Sequence, residues 1–479
     1  MPVRFTRSTS TRSGPETVLA LLLLACESCE SEKPVHATVA HASTVPYAAS
    51  GPDVVLIVLD TLRADHLSQY GYDLDTSPGL AALAATSTRF DSAWAPSPWT
   101  LPSTTSIHTG LHPLRHGMRH SGDVLGAESH TAAERLRAAG WRTAGFSHNV
   151  SVSPRHGFDQ GFDTFTHNTG KVLGYPNARR MTRAAADWLS ANPTGPAFLY
   201  LQPMNCHGPY RVPDTRDSVL LGRKPSRGFK YYKGLMAQVM KEHDLSARDK
   251  VTDSYLRSLR EQVDTAIRYE TDEVGTFLEG LKRAGRFDSA LIVLTADHGE
   301  ELFDHGGFSH GYSLHREVLR VPLWVKLPGQ TVAGSSADPA SLTDILPTVL
   351  DVLGVDSGQS LDGTSLKPIL EGGTRPAPPL VFDVDWRKRV VGTGLMEAGW
   401  KLLEIEQNYE GLDHATFLFD LTRDPGEGTD LAAGQPERVA AMQARLALLV
   451  EDLKGGAVVP ENQLTEADLK QLEALGYLE

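Results

Sequence analysis

Two apolar runs, far apart in the chain, share one form and constrain the fold more than any other feature. Asp53 to Leu59 reads D-V-V-L-I-V-L and is closed by Asp60; Ala290 to Thr295 reads A-L-I-V-L-T and delivers Ala296-Asp297-His298-Gly299-Glu300. Continuous β-branched and leucine runs are the signature of strands buried on both faces of a parallel sheet. A carboxylate just past the C-terminal edge of such a strand stands where open α/β sheets hold their ligands, although Asp there also serves as a helix cap. Asp and His at a strand end, with Gly to turn the backbone, make a good site for a hard-to-borderline cation. Asp60, Asp297 and His298 can meet around one ion if their two strands are neighbours.

A third buried strand, Ala197 to Leu201, delivers Asn205-Cys206-His207-Gly208-Pro209-Tyr210, and a fourth, Arg142 to Phe146, is followed by Ser147-His148-Asn149. Helices are expected near Ala132 to Ala139, Tyr255 to Leu281 and Leu342 to Leu353, and a further strand over Val321 to Lys326. Strands alternating with helices predict an α/β fold: a doubly wound, mainly parallel central sheet sandwiched by helices. A Gly/Pro-rich break at residues 372–379 separates residues 51–375 from a smaller C-terminal α+β subdomain over residues 376–479, with strands near Lys401 and Phe417 and a helix near Pro436 to Leu453.

Between the first strand and the second half of the sheet lies W-A-P-S-P-W-T-L-P-S-T-T-S-I-H-T, Trp94 to Thr109. Pro96 and Pro98 hold the approach extended, and from Pro102 the chain can turn helical, with Gly110 placed to stop it. Thr100 then sits just ahead of a helix N-terminus. Its hydroxyl there is either a simple cap or a group beside an anion seat, where an alkoxide is stabilised.

The chain has 479 residues and a formal net charge of −13, which argues against a general nucleic-acid binder. Its three cysteines, Cys26, Cys29 and Cys206, provide no disulfide framework and no cysteine-based metal cluster. Arg4, Arg7 and Arg12 precede a short apolar run from Val18 to Ala25, which has signal-peptide length and is too short to span a bilayer. Its end, Leu23-Leu24-Ala25-Cys26, resembles a bacterial lipoprotein cleavage box. Residues 1–26 are thus expected to be a signal peptide and residues 27–50 a flexible tether. The expected place is the bacterial periplasm or cell surface, with membrane contact only through a lipid on Cys26. Residues 222–250 interleave Arg223, Lys224, Arg227, Lys230, Lys233 and Lys241 with Phe229, Tyr231 and Tyr232. They form either a solvated insertion or a cationic rim for an anionic substrate.

These landmarks together resemble the sulfatase family, within the alkaline-phosphatase-like superfamily of metal hydrolases. They are V-L-I-V-L-D-T-L-R-A-D, W-T-L-P-S-T-T-S-I-H-T-G-L-H-P-L-R-H-G, C-H-G-P-Y, T-A-D-H-G-E-E-L-F-D-H-G-G-F-S-H-G, V-P-L-W-V-K-L-P-G and L-F-D-L-T-R-D-P-G-E, in family order from about Asp53 to Leu431. The resemblance implies that Asp60, Asp297, His298 and Thr100 hold one divalent cation, Ca²⁺ first and Mn²⁺, Mg²⁺ or Zn²⁺ as alternatives. It implies that Thr100 is the nucleophile, that His207 protonates the leaving oxygen or assists cleavage of the intermediate, and that His310 lies near the transferred group. His116, in the loop that supports the nucleophile, and His148 or Asn149 fall at positions that contact substrate. The substrate class implied is an anionic ester.

The departures are informative. The family places Cys or Ser in C-x-P-S-R, where it is oxidised to formylglycine; here T-L-P-S-T puts Thr100 and Thr104 in place of the cysteine and arginine. Threonine cannot give that aldehyde, so no formylglycine is expected. Thr61 stands where a second metal carboxylate is usual, and Asp297-His298 where many members have Asp-Asn. The expected reaction is hydrolysis of a sulfate ester through a covalent ester on Thr100. The alternatives are a phosphodiesterase or phosphonate monoester hydrolase, a transferase with the same site, and a catalytically silent binding protein.

Overall fold

The computed structural model describes residues 36–40, 47, 50–168, 177–210, 212–213, 251–386, 390–407 and 414–454. The leader with Cys26 and the basic-aromatic segment of residues 222–250 lie outside the described residues, as does most of 27–50.

The strands are β1 (His36–Ala40), β2 (Val54–Val58), β3 (Thr88–Trp94), β4 (Arg142–Ser147), β5 (Thr164–Asn168), β6 (Ala197–Gln202) and β7 (Leu291–Thr295). A short hairpin, β8 (Glu301–Leu302) and β9 (Phe308–Ser309), precedes β10 (Arg320–Lys326), β11 (Gly334–Ser336) and β12 (Ala340–Ser341). The large sheet runs β1-β5-β4-β6-β2-β7-β10-β3-β11, with β12 also paired to β3. Its centre, β5-β4-β6-β2-β7, is parallel throughout. β10 runs antiparallel to both β7 and β3, and β1 antiparallel to β5, so the sheet is mixed toward both edges.

The physical basis of the centre is plain in the sequence. Every residue of β2 is between 0% and 2% exposed, as an all-apolar strand covered on both faces must be. Helix Ala178–Ala191 packs on β4 and β6, and helix Asp253–Arg283 packs on that helix. The second of these spans 31 residues and is capped by Thr252, whose hydroxyl accepts from the Tyr255 N–H. Asp53, at the foot of β2, accepts two hydrogen bonds from Arg286 at 2.6 and 2.7 Å, which ties the start of the strand to the chain entering β7.

One expectation is corrected. The stretch assigned to a tether contains β1, which pairs antiparallel with β5 over five residues, His36↔Asn168 to Ala40↔Thr164. An edge strand can be held by main-chain hydrogen bonds without large apolar side chains, which is why its composition resembles a linker.

The C-terminal segment forms an antiparallel sheet of β13 (Leu380–Trp386), β14 (Val390–Glu397), β15 (Trp400–Gln407) and β16 (Ala415–Asp420). Its side chains alternate between two cores. Phe382, Leu403 and Phe419 join the main core, while Val381, Leu402 and Leu418 pack under Met442 and Leu446 of helix Pro436–Leu453. The subdomain also reaches the Thr100 approach: Asp383 N–H donates to Pro96 O at 2.9 Å, and the Trp386 and Trp99 rings meet edge-on at 4.9 Å.

Candidate active site

Thr100 is the first residue of a helix, Thr100–Thr109, two residues earlier than the proline pattern suggests. Trp99 is extended before it (φ −153°, ψ 162°), and Gly110 closes it in the left-handed conformation (φ 68°). All ten residues are buried, although seven are Thr, Ser or His. Such a helix is tolerated because most of its hydroxyls find partners nearby, Thr104 Oγ1 being the exception. Thr105 and Thr109 donate to the carbonyls of Leu101 and Thr105 at 2.7 Å, and Ser103 donates to Asp297 O at 2.5 Å. The last bond fixes the helix against the end of β7.

His116 braces the same helix. Its Nε2 lies 3.1 Å from Ser106 Oγ and 3.2 Å from Pro102 O, and its Nδ1 accepts from Met118 N–H at 3.1 Å. Both ring nitrogens are engaged with protein, and burial pushes its pKa down to about 3. In this structure His116 supports the helix that carries Thr100.

β2 and β7 are adjacent and parallel, so Asp60, Asp297 and His298 come together past their ends. One ligand-type atom from each of the three lies within 4.8 Å of the others. Asp297 Oδ1 accepts from the N–H groups of Thr61 (3.2 Å) and His298 (3.0 Å). Thr61, at φ 59°, turns its own hydroxyl back to Asp60 O at 2.7 Å, which leaves its backbone amide rather than its side chain to serve the site. His298 donates through Nδ1 to Gly299 O at 2.8 Å, so the lone pair of the neutral ring is on Nε2. Thr100 Oγ1 lies 3.2 Å from that nitrogen.

The electrostatics of the cluster suit a cation. Burial, and then repulsion from Asp297, pushes Asp60 up to about 7; burial pushes Asp297 up to about 6. Burial also holds His298 below its ordinary value. Asp60 Oδ1 is buried with no hydrogen-bond partner. Two carboxylates and one neutral imidazole at 0% exposure, with one carboxylate oxygen unsatisfied, form a donor set that a divalent cation would satisfy.

Asn149 enters the site and His148 lies beside it. Asn149 Nδ2 donates to Asp60 Oδ2 at 2.5 Å and to Thr100 Oγ1 at 3.3 Å, while the His148 N–H bonds to Gln202 O at 3.1 Å. Gln202, which the sequence reading missed, donates to Asp60 Oδ2 at 3.1 Å and Asp297 Oδ2 at 3.3 Å. A polar residue closing the apolar run A-F-L-Y-L was the available signal.

His207 and His310 complete the cluster. Their ring centroids are 5.0 Å apart, and His310 lies 4.6 Å from His298. His207 Nδ1 is 2.6 Å from Gly208 O. Burial, with the neighbouring imidazoles His298 and His207, holds His310 well below its ordinary value. The turn that carries His207 is fixed from below by Glu270, also missed, whose Oε2 accepts from Cys206 N–H at 2.9 Å.

With this geometry in view, comparison with known proteins is decisive on family. A sequence profile of the sulfatase family matches residues 52–355. The chain belongs to the sulfatase family. It is 23% identical over 459 residues to an N-acetylglucosamine-6-O-sulfatase of Bacteroides thetaiotaomicron, covering 79% of this chain and 78% of that protein. It is 26% identical over 429 residues to a choline-sulfatase of Rhizobium meliloti, covering 80% and 82%. Its fold matches the crystal structure of the phosphonate monoester hydrolase of Agrobacterium radiobacter with a TM-score of 0.65 at 20% identity, covering 87% of this chain and 98% of that one. The chain is thus a sulfatase-family hydrolase, and its Asp-Asp-His cluster is the candidate site for the divalent metal that the family uses.

Proposed function

We propose that this sulfatase-family protein hydrolyses a sulfate ester through a covalent ester on Thr100. The observation that carries the reading is the seat of the Thr100 hydroxyl. It lies 3.2 Å from His298 Nε2 and 3.3 Å from Asn149 Nδ2, at the first position of a helix, beside the carboxylates of Asp60 and Asp297.

Asp60, Asp297, His298 and Thr100 would hold the cation, with Ca²⁺ first and Mn²⁺, Mg²⁺ or Zn²⁺ as alternatives. When bound, it supplies neutralisation of substrate oxygens and a lower pKa for a neighbouring hydroxyl. The chain's own residues do the rest. The Thr100 hydroxyl gives up its proton to water, its oxygen attacks sulfur in line, and the bond from sulfur to the ester oxygen breaks. His207 donates the proton that the departing oxygen takes up. The positive end of the Thr100–Thr109 helix dipole favours the anion that forms there. His310 faces the transferred group, and water then cleaves the Thr100 ester.

A second reading, phosphoryl transfer in place of sulfuryl transfer, is favoured by the nucleophile itself. A threonine ester lacks the second hydroxyl by which a formylglycine hydrate expels sulfate, so its release depends on attack by water. Export, with a lipid on Cys26, belongs to the same proposal. Rates of the native protein on an aryl sulfate, a phosphate monoester, a phosphodiester and a phosphonate monoester test it. Sulfate turnover well above the other three supports the first reading, phosphoryl turnover above sulfate supports the second, and turnover of none contradicts both.

A further inference from the structure

Glu300 lies outside the cation cluster, yet it is only 3% exposed and is engaged from two sides. Its Oε2 accepts a short hydrogen bond from the Tyr210 hydroxyl, and its Oε1 lies 3.3 Å from His310 Nδ1. Tyr210 closes the turn that carries His207, with its N–H donating to His207 O at 3.0 Å. One carboxylate therefore joins two separate pieces of chain, each presenting an imidazole to the same space.

The main chain at Glu300 is itself held in place. Arg63 Nη1 donates to Glu300 O at 3.2 Å, while its guanidinium pairs with Asp304 at 2.7 Å and Asp65 at 2.9 Å. Gly299 N–H donates to Val318 O at 2.8 Å, which fixes the residue before it. Removing a carboxylate from water is costly unless its oxygens are bonded, and both oxygens here are directed to groups beside the reacting centre.

We propose that Glu300 is a positioning residue for ester cleavage. Its bond to His310 Nδ1 commits that nitrogen to the protein and makes Nε2 the nitrogen that can meet a substrate oxygen. Its bond to Tyr210 sets the height of the His207 turn. This rests on the reading of His207 and His310 as residues that face the leaving and transferred groups. The logic is that of a carboxylate that orients an imidazole without itself exchanging a proton with substrate.

The test is a double-mutant cycle of Glu300→Ala and His310→Ala, read as kcat and KM, with bound metal measured in every variant. Glu300→Ala is expected to lower kcat about 10- to 100-fold, with KM little changed and metal content native. Glu300→Gln, which keeps an acceptor, should recover part of the loss, and it takes the place of the alanine variant in the cycle if that variant does not fold. The double variant should lose less than the product of the two single losses, because part of the Glu300 effect passes through His310 and only the part that passes through Tyr210 to the His207 turn remains. Native kcat in Glu300→Ala beside an impaired His310→Ala overturns the inference alone. So does a loss that multiplies in the double variant, or one that tracks lost metal. His310→Ala at native rate overturns the reading beneath it.

Discussion

Asp60 and Asp297 stand at the same level of two adjacent parallel strands: Val58 pairs with Thr295, and each carboxylate comes two residues later. Two buried anions at one level repel each other unless something positive lies between them. The protein places a neutral donor there. Gln202 Nε2 reaches Asp60 Oδ2 and Asp297 Oδ2 at 3.1 and 3.3 Å. Gln202→Leu removes that donor and should weaken metal affinity about 10- to 100-fold, as loss of outer-shell support does. Titration of the metal-free protein with Ca²⁺ or Mn²⁺ by calorimetry checks it, and native affinity in the variant would contradict the role.

Asn149 shares its amide between Asp60 and Thr100. Asn149→Ala should lower kcat about 10- to 100-fold while leaving the melting temperature close to native, since it removes orientation rather than core packing. Steady-state kinetics beside a thermal melt separates the two effects.

Lys401 and Glu427 form a fully buried ion pair at 2.7 Å, between β15 and the loop after β16. Glu427 also accepts from His315 Nδ1 and Arg316 N–H at 3.1 Å, so this pair ties the C-terminal sheet to the loop that follows the active-site hairpin. Lys401→Met leaves the carboxylate buried without its main partner and should cost about 3–5 kcal/mol. Lys401→Met/Glu427→Gln should recover much of it. Denaturant unfolding of native, single and double variants measures both.

His305 supplies a pH dependence. Burial alone would lower its pKa, but the hydrogen bond and charge of Glu317, with Glu427 O and Glu301, raise it from 6.5 to about 9. Its Nδ1 is 2.6 Å from Glu317 Oε1, and its ring stacks on His315 at 3.9 Å. A folded-state pKa above the unfolded value stabilises fully below pH 6.5 and loses that contribution as pH rises through about 9. The melting temperature should therefore fall across that window, and fall less in His305→Gln. Equal slopes in the two proteins would contradict the assignment.

The central sheet was legible because a strand buried on both faces has no polar face to disguise it, and because the Asp that closes each run interrupts it visibly. The cluster of Asp60, Asp297 and His298 followed once the strands were neighbours. Strand direction was not legible: V-P-L-W-V-K carries no sign of it, and β10 runs antiparallel with its register shifted around Pro322, which lacks an N–H to donate. Gln202, Glu270 and Glu300 escaped as functional residues because each acts through partners distant in sequence, and a lone polar residue carries no spacing signal.

The most direct test of the account is the rate of Thr100→Ala against the native protein on the ester that the native protein cleaves fastest, with metal content matched. The account predicts that kcat collapses by at least about 100-fold while metal binding through Asp60, Asp297 and His298 persists. Turnover by Thr100→Ala at the native rate would show that the hydroxyl 3.2 Å from His298 Nε2 is not the nucleophile.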